Sequence, residues 1–241
     1  MIIDCISDLH GYRPELLGGD VLIIAGDISE CQNALDVFTF CKWANNLHYD
    51  HTILMAGNHD FHIERNNAEC RDMFKDFHID YLEDSGIEIE GVKFWGSPYT
   101  PKCGNWAFMK NRGSSIIRHW NEIPDDTDIL ITHGPAFGYL DKTIQGDRVG
   151  CKDLERAIRT IKPDVHVFGH IHESYGVQFT GWRSDKEGMI PFGRPISINC
   201  SHVDEELNPT NYPVRFSYDK GKNQIELLNG LVVLPIVNGL E

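Results

Sequence analysis

Ile53-Leu54-Met55-Ala56-Gly57-Asn58-His59-Asp60 decides how this chain is read. A short apolar run ends in Gly57, and three polar residues follow with no spacer. An apolar run of that length bounded by glycine predicts a buried strand. Its end delivers Asn58, His59 and Asp60 into a tight turn at one edge of a sheet. Alone, the stretch is equally an ordinary strand-to-turn junction, because Gly, Asn and Asp are common turn residues. The arrangement recurs, however. Residues 2–7 run into Asp8-Leu9-His10, and residues 21–25 into Gly26-Asp27. Residues 129–132 run into His133-Gly134, and residues 165–168 into Gly169-His170-Ile171-His172. Turn composition alone does not account for metal-type ligands at the end of all five predicted strands.

Working outward, strands and helices alternate in the front of the chain. A helix is predicted over 32–47, with Leu35, Phe38, Trp43 and Leu47 as its stripe. Shorter helices are predicted at 68–77 and 116–122, and one over 151–160 with Leu154, Ile158 and Ile161 on its apolar side. Residues 87–89 and 92–96, divided by Glu90-Gly91, read as a hairpin. Behind residue 174 the pattern turns mostly β, with strands at 176–179, 196–199, 214–218 and 225–228. The expectation is one α/β domain over residues 1–241, a sandwich of sheets with flanking helices. Ligands in such folds sit outside the carboxyl ends of the strands, which is where the Asp, Asn and His residues fall.

Composition narrows the function. Lys and Arg number 22 against 36 Asp and Glu, a formal net charge of −14. Such a surface repels a phosphate backbone at long range, which argues against non-specific nucleic-acid binding. The 12 His residues supply many candidate metal ligands. The seven Cys are odd in number and hold no Cys-x-x-Cys clip, which predicts reduced thiols in a cytoplasmic setting. The N-terminus lacks a basic n-region, so no signal peptide is expected. No apolar stretch approaches the roughly 20 residues of a membrane span. The apolar run at 231–237 is short, carries Pro235, and is expected to cover the sheet.

Asp8-x-His10, Gly26-Asp27, Gly57-Asn58-His59-Asp60, His133 and Gly169-His170-x-His172 together resemble the calcineurin-like metallophosphoesterase superfamily. The resemblance implies a sandwich of two mixed sheets with a dinuclear metal site at the strand ends. One metal would take Asp8, His10, Asp27 and His172, and the other Asp27, Asn58, His133 and His170. Asp27 would bridge. Imidazole, carboxylate and amide oxygen suit Mn, Fe or Zn, and a pair of such ions activates water and clamps a phosphoryl oxygen. His59 is no ligand in the family. It would face substrate, with Asp60 fixing its ring by a hydrogen bond. The glycines before Asp27, Asn58 and His170 would allow tight turns.

Gly26-Asp27-Ile28-Ser29-Glu30 lacks the Arg-Gly pair of the protein Ser/Thr phosphatases. Residues 131–135, 150–151 and 165–176, with Asn199 and 208–211, are closer to the small metallophosphoesterase-domain proteins grouped with class III cyclic nucleotide phosphodiesterases. The implied activity is phosphodiester hydrolysis of a small nucleotide-type substrate, such as a cyclic nucleotide, by a metal-bridging hydroxide. The alternatives are a phosphomonoesterase or nuclease-like member, or a metal-bound scaffold that has lost turnover. Beyond the ligands, Tyr99, Trp106 and Phe108 either stack a base or pack their loop onto the core. Glu173 and Tyr175 are expected to cap and pack the last turn. His62 and Arg65 follow the His59 turn and either touch substrate or lie in solvent. His202 follows a strand but matches no metal position.

Overall fold

A computed structural model of the chain describes all residues except 31, 185–188, 223, 229–232 and 235–241, and leaves the side chains of 181–192 and 233–234 undescribed. The apolar runs become strands of two mixed sheets. The first sheet is ordered Gln224–Leu227, Val214–Asp219, Ile2–Ile6, Gly19–Ala25, Tyr49–Met55, Ile79–Tyr81. Its last four strands are parallel. The second is ordered Val233–Leu234, Gly176–Gln178, Ile196–Asn199, Val165–Phe168, Ile129–Thr132, Val92–Ser97, Ser85–Ile89. Four of these, from Ile196–Asn199 to Val92–Ser97, are parallel. The carboxyl ends of the parallel strands therefore gather at one end of each sheet. Of the apolar run at 231–237, Val233–Leu234 pairs along Gly176–Gln178 as an edge strand, and the rest lies outside the described residues.

Both faces are covered along most of Ile2–Ile6, Gly19–Ala25, Ile129–Thr132 and Val165–Phe168 and at the carboxyl end of Tyr49–Met55, which is why these strands read as continuous apolar runs and not as alternating ones. Inward-facing Ile3, Val21, Ile23, Ile53 and Met55 meet Phe94, Ile129, Ile131, Val165, Val167 and Ile198 in one core between the sheets. Outward-facing Ile6, Leu22, Ile24 and Leu54 carry the helices Ala34–Asn45 and Asn67–Asp76. Leu130 carries Ser114–Trp120 and Lys152–Ile161 on the other side.

The helix predicted at 32–47 forms at Ala34–Asn45, capped by the Asn33 side chain on Leu35 N and Asp36 N. Its stripe differs from the expected one. Val37, Phe40, Cys41 and Ala44 are buried, whereas Leu35 is 68% and Phe38 41% exposed. The buried set has the i, i+3, i+4, i+7 spacing that a core-facing helix needs. No helix among the described residues is long and apolar enough to cross a membrane.

The sheets join at the end where the ligand-type residues lie. Ser7 bridges to Ser201 across them. Ser7 N donates to Cys200 O at 3.0 Å, and His202 N donates to Ser7 O at 2.8 Å. Strand exits from opposite sheets are thereby held side by side.

Candidate metal centre

Each strand exit is stitched to its neighbour. Asp8 N donates to Gly26 O at 3.0 Å and His10 N to Asp27 O at 3.1 Å. To turn this sharply, Asp8, His10, Asp27 and His170 adopt left-handed backbones, with φ of 50°, 41°, 54° and 69°. Non-glycine residues are uncommon there, and such strain gathers at functional sites.

The turns bring most of the expected ligands together. Asp8, His10 and His172 present ligand atoms within 4.8 Å of one another, as do His10, Asp27 and His59, and Asp8, Asp27 and His133. Asp27 Oδ2 lies 3.2 Å from His133 Nε2 and 4.0 Å from His10 Nε2. Asn58 Oδ1 lies 2.9 Å from the same His133 nitrogen. His170 stands beside His133, ring centroids 5.0 Å apart, but joins none of the three clusters among the described residues.

Outer partners aim the rings. His133 Nδ1 donates to Ala25 O at 2.9 Å, and His172 Nδ1 donates to Asp204 O at 3.1 Å. Each leaves Nε2 turned to the carboxylates, the arrangement typical of metal-ligating histidines. Asp8 Oδ2 accepts from Ser7 Oγ at 2.5 Å and from His170 N at 3.0 Å, and lies 2.8 Å from Ser201 Oγ. Asp8 Oδ1 faces His172 Nε2 at 3.3 Å. His10 Nε2 is buried beside Asp27 with no hydrogen-bond partner. A buried nitrogen is seldom left unpaired, and this one fits a cation-binding position. The donor set of imidazole, carboxylate and amide oxygen fits divalent first-row metals equally well.

The electrostatics are those of crowded carboxylates. Burial alone would raise Asp8, but its hydrogen bond with His172 and the charges of His172 and His133 hold it well below the usual range. Burial also works against Asp27, which His133 nonetheless lowers. Burial would lower His133, yet Asp27 and Asp8 raise it to about 10. His170 is lowered to about 4 by burial and the charge of His133.

Two glycines are required for different reasons. Gly26 has φ +97°, a turn only glycine makes easily. Gly57 does not have a positive φ; it is needed for space. A Cβ there would lie 2.6 Å from Asp27 N and from His133 Cε1 and would press on Asp27 Oδ1. The expected tight turn is therefore a close approach at Gly57.

The expectation for Asp60 is corrected. Its buried carboxylate does not touch the His59 ring. It accepts from Gly57 N at 2.6 Å, Asp27 N at 2.9 Å and Ile28 N at 3.2 Å, binding two strand exits together. Glu30 takes the place that the sequence suggested for Asp60. Its Oε2 lies 3.1 Å from His59 Nδ1 and its Oε1 3.2 Å from His10 Nδ1. The signal for Glu30 was an acid three residues after Asp27, on the exit that faces the His59 turn. His59 itself is partly exposed, and its backbone N donates to Asp27 Oδ1 at 2.8 Å.

The secondary candidates sort themselves. Glu173 Oε1 accepts from Ile144 N, and Tyr175 OH donates to Tyr212 O, so their side-chain hydrogen bonds tie distant loops to the last turn instead of capping it. Arg65 lies over Phe61 and His62 meets Asn66, both local contacts of the short helix Phe61–Arg65. His202 Nδ1 donates to Asn211 O at 2.8 Å. Cys5, Cys41, Cys70, Cys151 and Cys200 are free and buried, and Cys103 is free and exposed.

Residues 1–174 match the calcineurin-like phosphoesterase family model. The chain is 37% identical to human metallophosphoesterase domain-containing protein 1, covering 87% of this chain and 68% of that protein. It is 32% identical to the Caenorhabditis elegans UPF0046 protein T07D4.2, covering 88% of this chain and 58% of that one. The crystal structure of the Thermus thermophilus protein TT1561 superposes with a TM-score of 0.56 at 12% identity, covering 95% of this chain and 98% of that one. That likeness shows the two-sheet fold. The chain belongs to the calcineurin-like phosphoesterase family, and it spans 58% and 68% of the length of these two relatives.

Proposed function

We propose that this protein hydrolyses phosphodiesters of nucleotide type with two metal ions held at the strand ends. The observation that carries the reading is Asp27. One carboxylate oxygen stands between His133 Nε2 and the unpartnered His10 Nε2. Asp8, His10 and His172 would complete one position around it, and Asn58, His133 and His170 the other. Mn, Fe and Zn all suit these donors. When bound, such a pair supplies Lewis acidity toward a phosphoryl oxygen and a water acidified toward neutrality.

The chain's own residues do the rest. Asp60 holds the backbone of Gly57, Asp27 and Ile28, and so fixes Asp27 relative to Asn58. Glu30 holds His59 by Nδ1, which leaves Nε2 for the substrate. His59 would give a proton to the leaving oxygen as the ester bond breaks, a role worth about 10²–10⁴-fold. The formal charge of −14 adds a mild preference for a singly charged diester over a doubly charged monoester. The motifs at 131–135 and 165–176 support the same substrate class.

The test is hydrolysis of bis-p-nitrophenyl phosphate and p-nitrophenyl phosphate by Mn-loaded protein under matched conditions. Faster turnover of the bis-ester is expected. A large preference for the monoester would overturn the diester reading, and no turnover of either would favour a metal-bound scaffold.

A further inference from the structure

Three aromatic side chains stand on the loop between Ser97 and Ser114, and the structure separates them. Phe108 is buried in the core under the first helix layer. Tyr99 stacks on His119, ring centroids 3.7 Å apart. These two anchor the loop. Trp106 does something else. It is 44% exposed, and its ring lies over the His59 imidazole with centroids 4.5 Å apart and planes 32° apart.

The position is built, not incidental. Immediately after Trp106, Ala107 N donates to Asn58 O at 3.0 Å, which fastens the loop to the Asn58 turn. Phe108 N donates to Glu64 Oε1 at 2.8 Å, and Thr100 N to Phe108 O at 3.0 Å. A Cβ on Gly104 would come within 3.0 Å of the indole Cδ1 and Nε1, so the glycine leaves room for the ring to lie as it does. The indole is thus held at the edge of the site, beside the imidazole that faces the leaving group, with much of its surface open.

On a chain of formal charge −14, a neutral aromatic surface can hold the uncharged part of an anionic substrate without adding repulsion. Base–aromatic stacking is also tolerant of which base is offered. We infer that Trp106 is a specificity-determining platform on which the nucleobase of the substrate's leaving arm stacks. The inference rests on the phosphoesterase reading for the place of the phosphate, and it deepens that reading by naming what recognises the rest of the substrate.

The test compares two non-hydrolysable probes, the 5′-methylenephosphonate analogue of adenosine monophosphate and the matching ribose phosphonate. Calorimetry on the whole Mn-loaded chain gives both dissociation constants. Wild type should prefer the adenosine probe by about 5- to 150-fold. W106A should bring that ratio close to one, and W106F, which keeps an aromatic face, should retain most of it. Metal content and circular dichroism of each variant confirm the fold. A wild-type ratio near one would overturn the inference, as would a ratio in W106A equal to that of wild type. An equal loss of both affinities leaves the ratio unchanged and so counts against it. Neither probe can be cleaved, so the ratio stands whether diesters or monoesters are the substrates. Failure of the diester reading shows separately, in the p-nitrophenyl comparison.

Discussion

Gly57→Ala is the sharpest test of how the site is assembled. The new Cβ would lie 2.6 Å from Asp27 N and from His133 Cε1, where ordinary contact begins at 3.4 Å. Asp27 N and His133 Cε1 must then withdraw by about 0.8 Å, and Asp27 Oδ1, which the Cβ approaches still more closely, by more, because the intruding atom is on rigid backbone. Asp27 cannot withdraw freely. Its N–H is held by Asp60 and its Oδ1 accepts from His59 N. Overpacking of this kind costs about 1–3 kcal/mol, and a chain of this size loses about 2–4 °C of Tm per kcal/mol. The effect on function should be larger. Disturbing the support of a metal ligand typically lowers metal affinity by about 10–100-fold, and a misplacement near 1 Å costs about 10²-fold in rate. The assay is metal content after dialysis against a weak chelator, kcat/KM on bis-p-nitrophenyl phosphate, and a thermal melt. Gly221→Ala is the control, because its Cβ meets only Asp219 Oδ1 at 3.5 Å. Full metal loading with kcat/KM within about twofold of wild type would refute the close-approach argument.

Asp27→Asn should deplete both metals together, since one carboxylate faces His10 and His133; metal analysis showing loss of one ion alone would contradict sharing. His59→Ala should lose about 10²–10⁴-fold on alkyl diesters and much less on nitrophenyl esters, and an equal loss on both would remove the general-acid role. Glu30→Gln should shift the same ratio in the same direction by less, because it loosens the ring without removing it. In metal-free protein the raised His133 pKa contributes stability that is full below pH 6.5 and lost as pH rises through about 10. Tm of the metal-free chain should fall across that window, and His133→Gln should flatten the decline.

The strand exits were legible because their signal is local: an apolar run that ends in a ligand-type residue, five times, with a glycine between them at Asp27, Asn58 and His170. Parallel strands carry that pattern in short stretches, and the topology only has to bring the ends together. What was not legible depends on where a side chain turns after the exit. Asp60 adjoins His59 in sequence, yet its carboxylate points back under the loop to three backbone N–H groups. Glu30, 29 positions away from His59, reaches its ring. Adjacency along the chain says which residues are near, not which atoms face each other. The same limit explains the helix at Ala34–Asn45. Leu35 and Phe38 are larger than Val37 and Cys41, but residue size does not decide which stripe meets the sheet. The strand Ile79–Tyr81 has only three residues, too few for a period to show.

The site works against the fold that holds it. Asp8, Asp27 and Asp60 bury three carboxyl groups within one constellation, and Asp8 and Asp60 both interact electrostatically with Asp27. Four of the residues that form it sit at positive φ without being glycine. Buried charge and backbone strain of this kind are destabilising unless something compensates. In the metal-free chain part of the compensation is a proton. All three groups around His133 are acceptors: Ala25 O on Nδ1, and Asn58 Oδ1 and Asp27 Oδ2 on Nε2. That is the environment of an imidazolium, and the raised pKa follows from it. A divalent cation offers the same carboxylates more charge and would take the Nε2 lone pair once its proton leaves. Metal binding at His133 would therefore exchange a proton for the metal, which would couple affinity to pH. Asp60 serves the fold through its three backbone partners, whereas the crowding of Asp8 against Asp27 and the strained exits would be accounted for by a cation as the occupant.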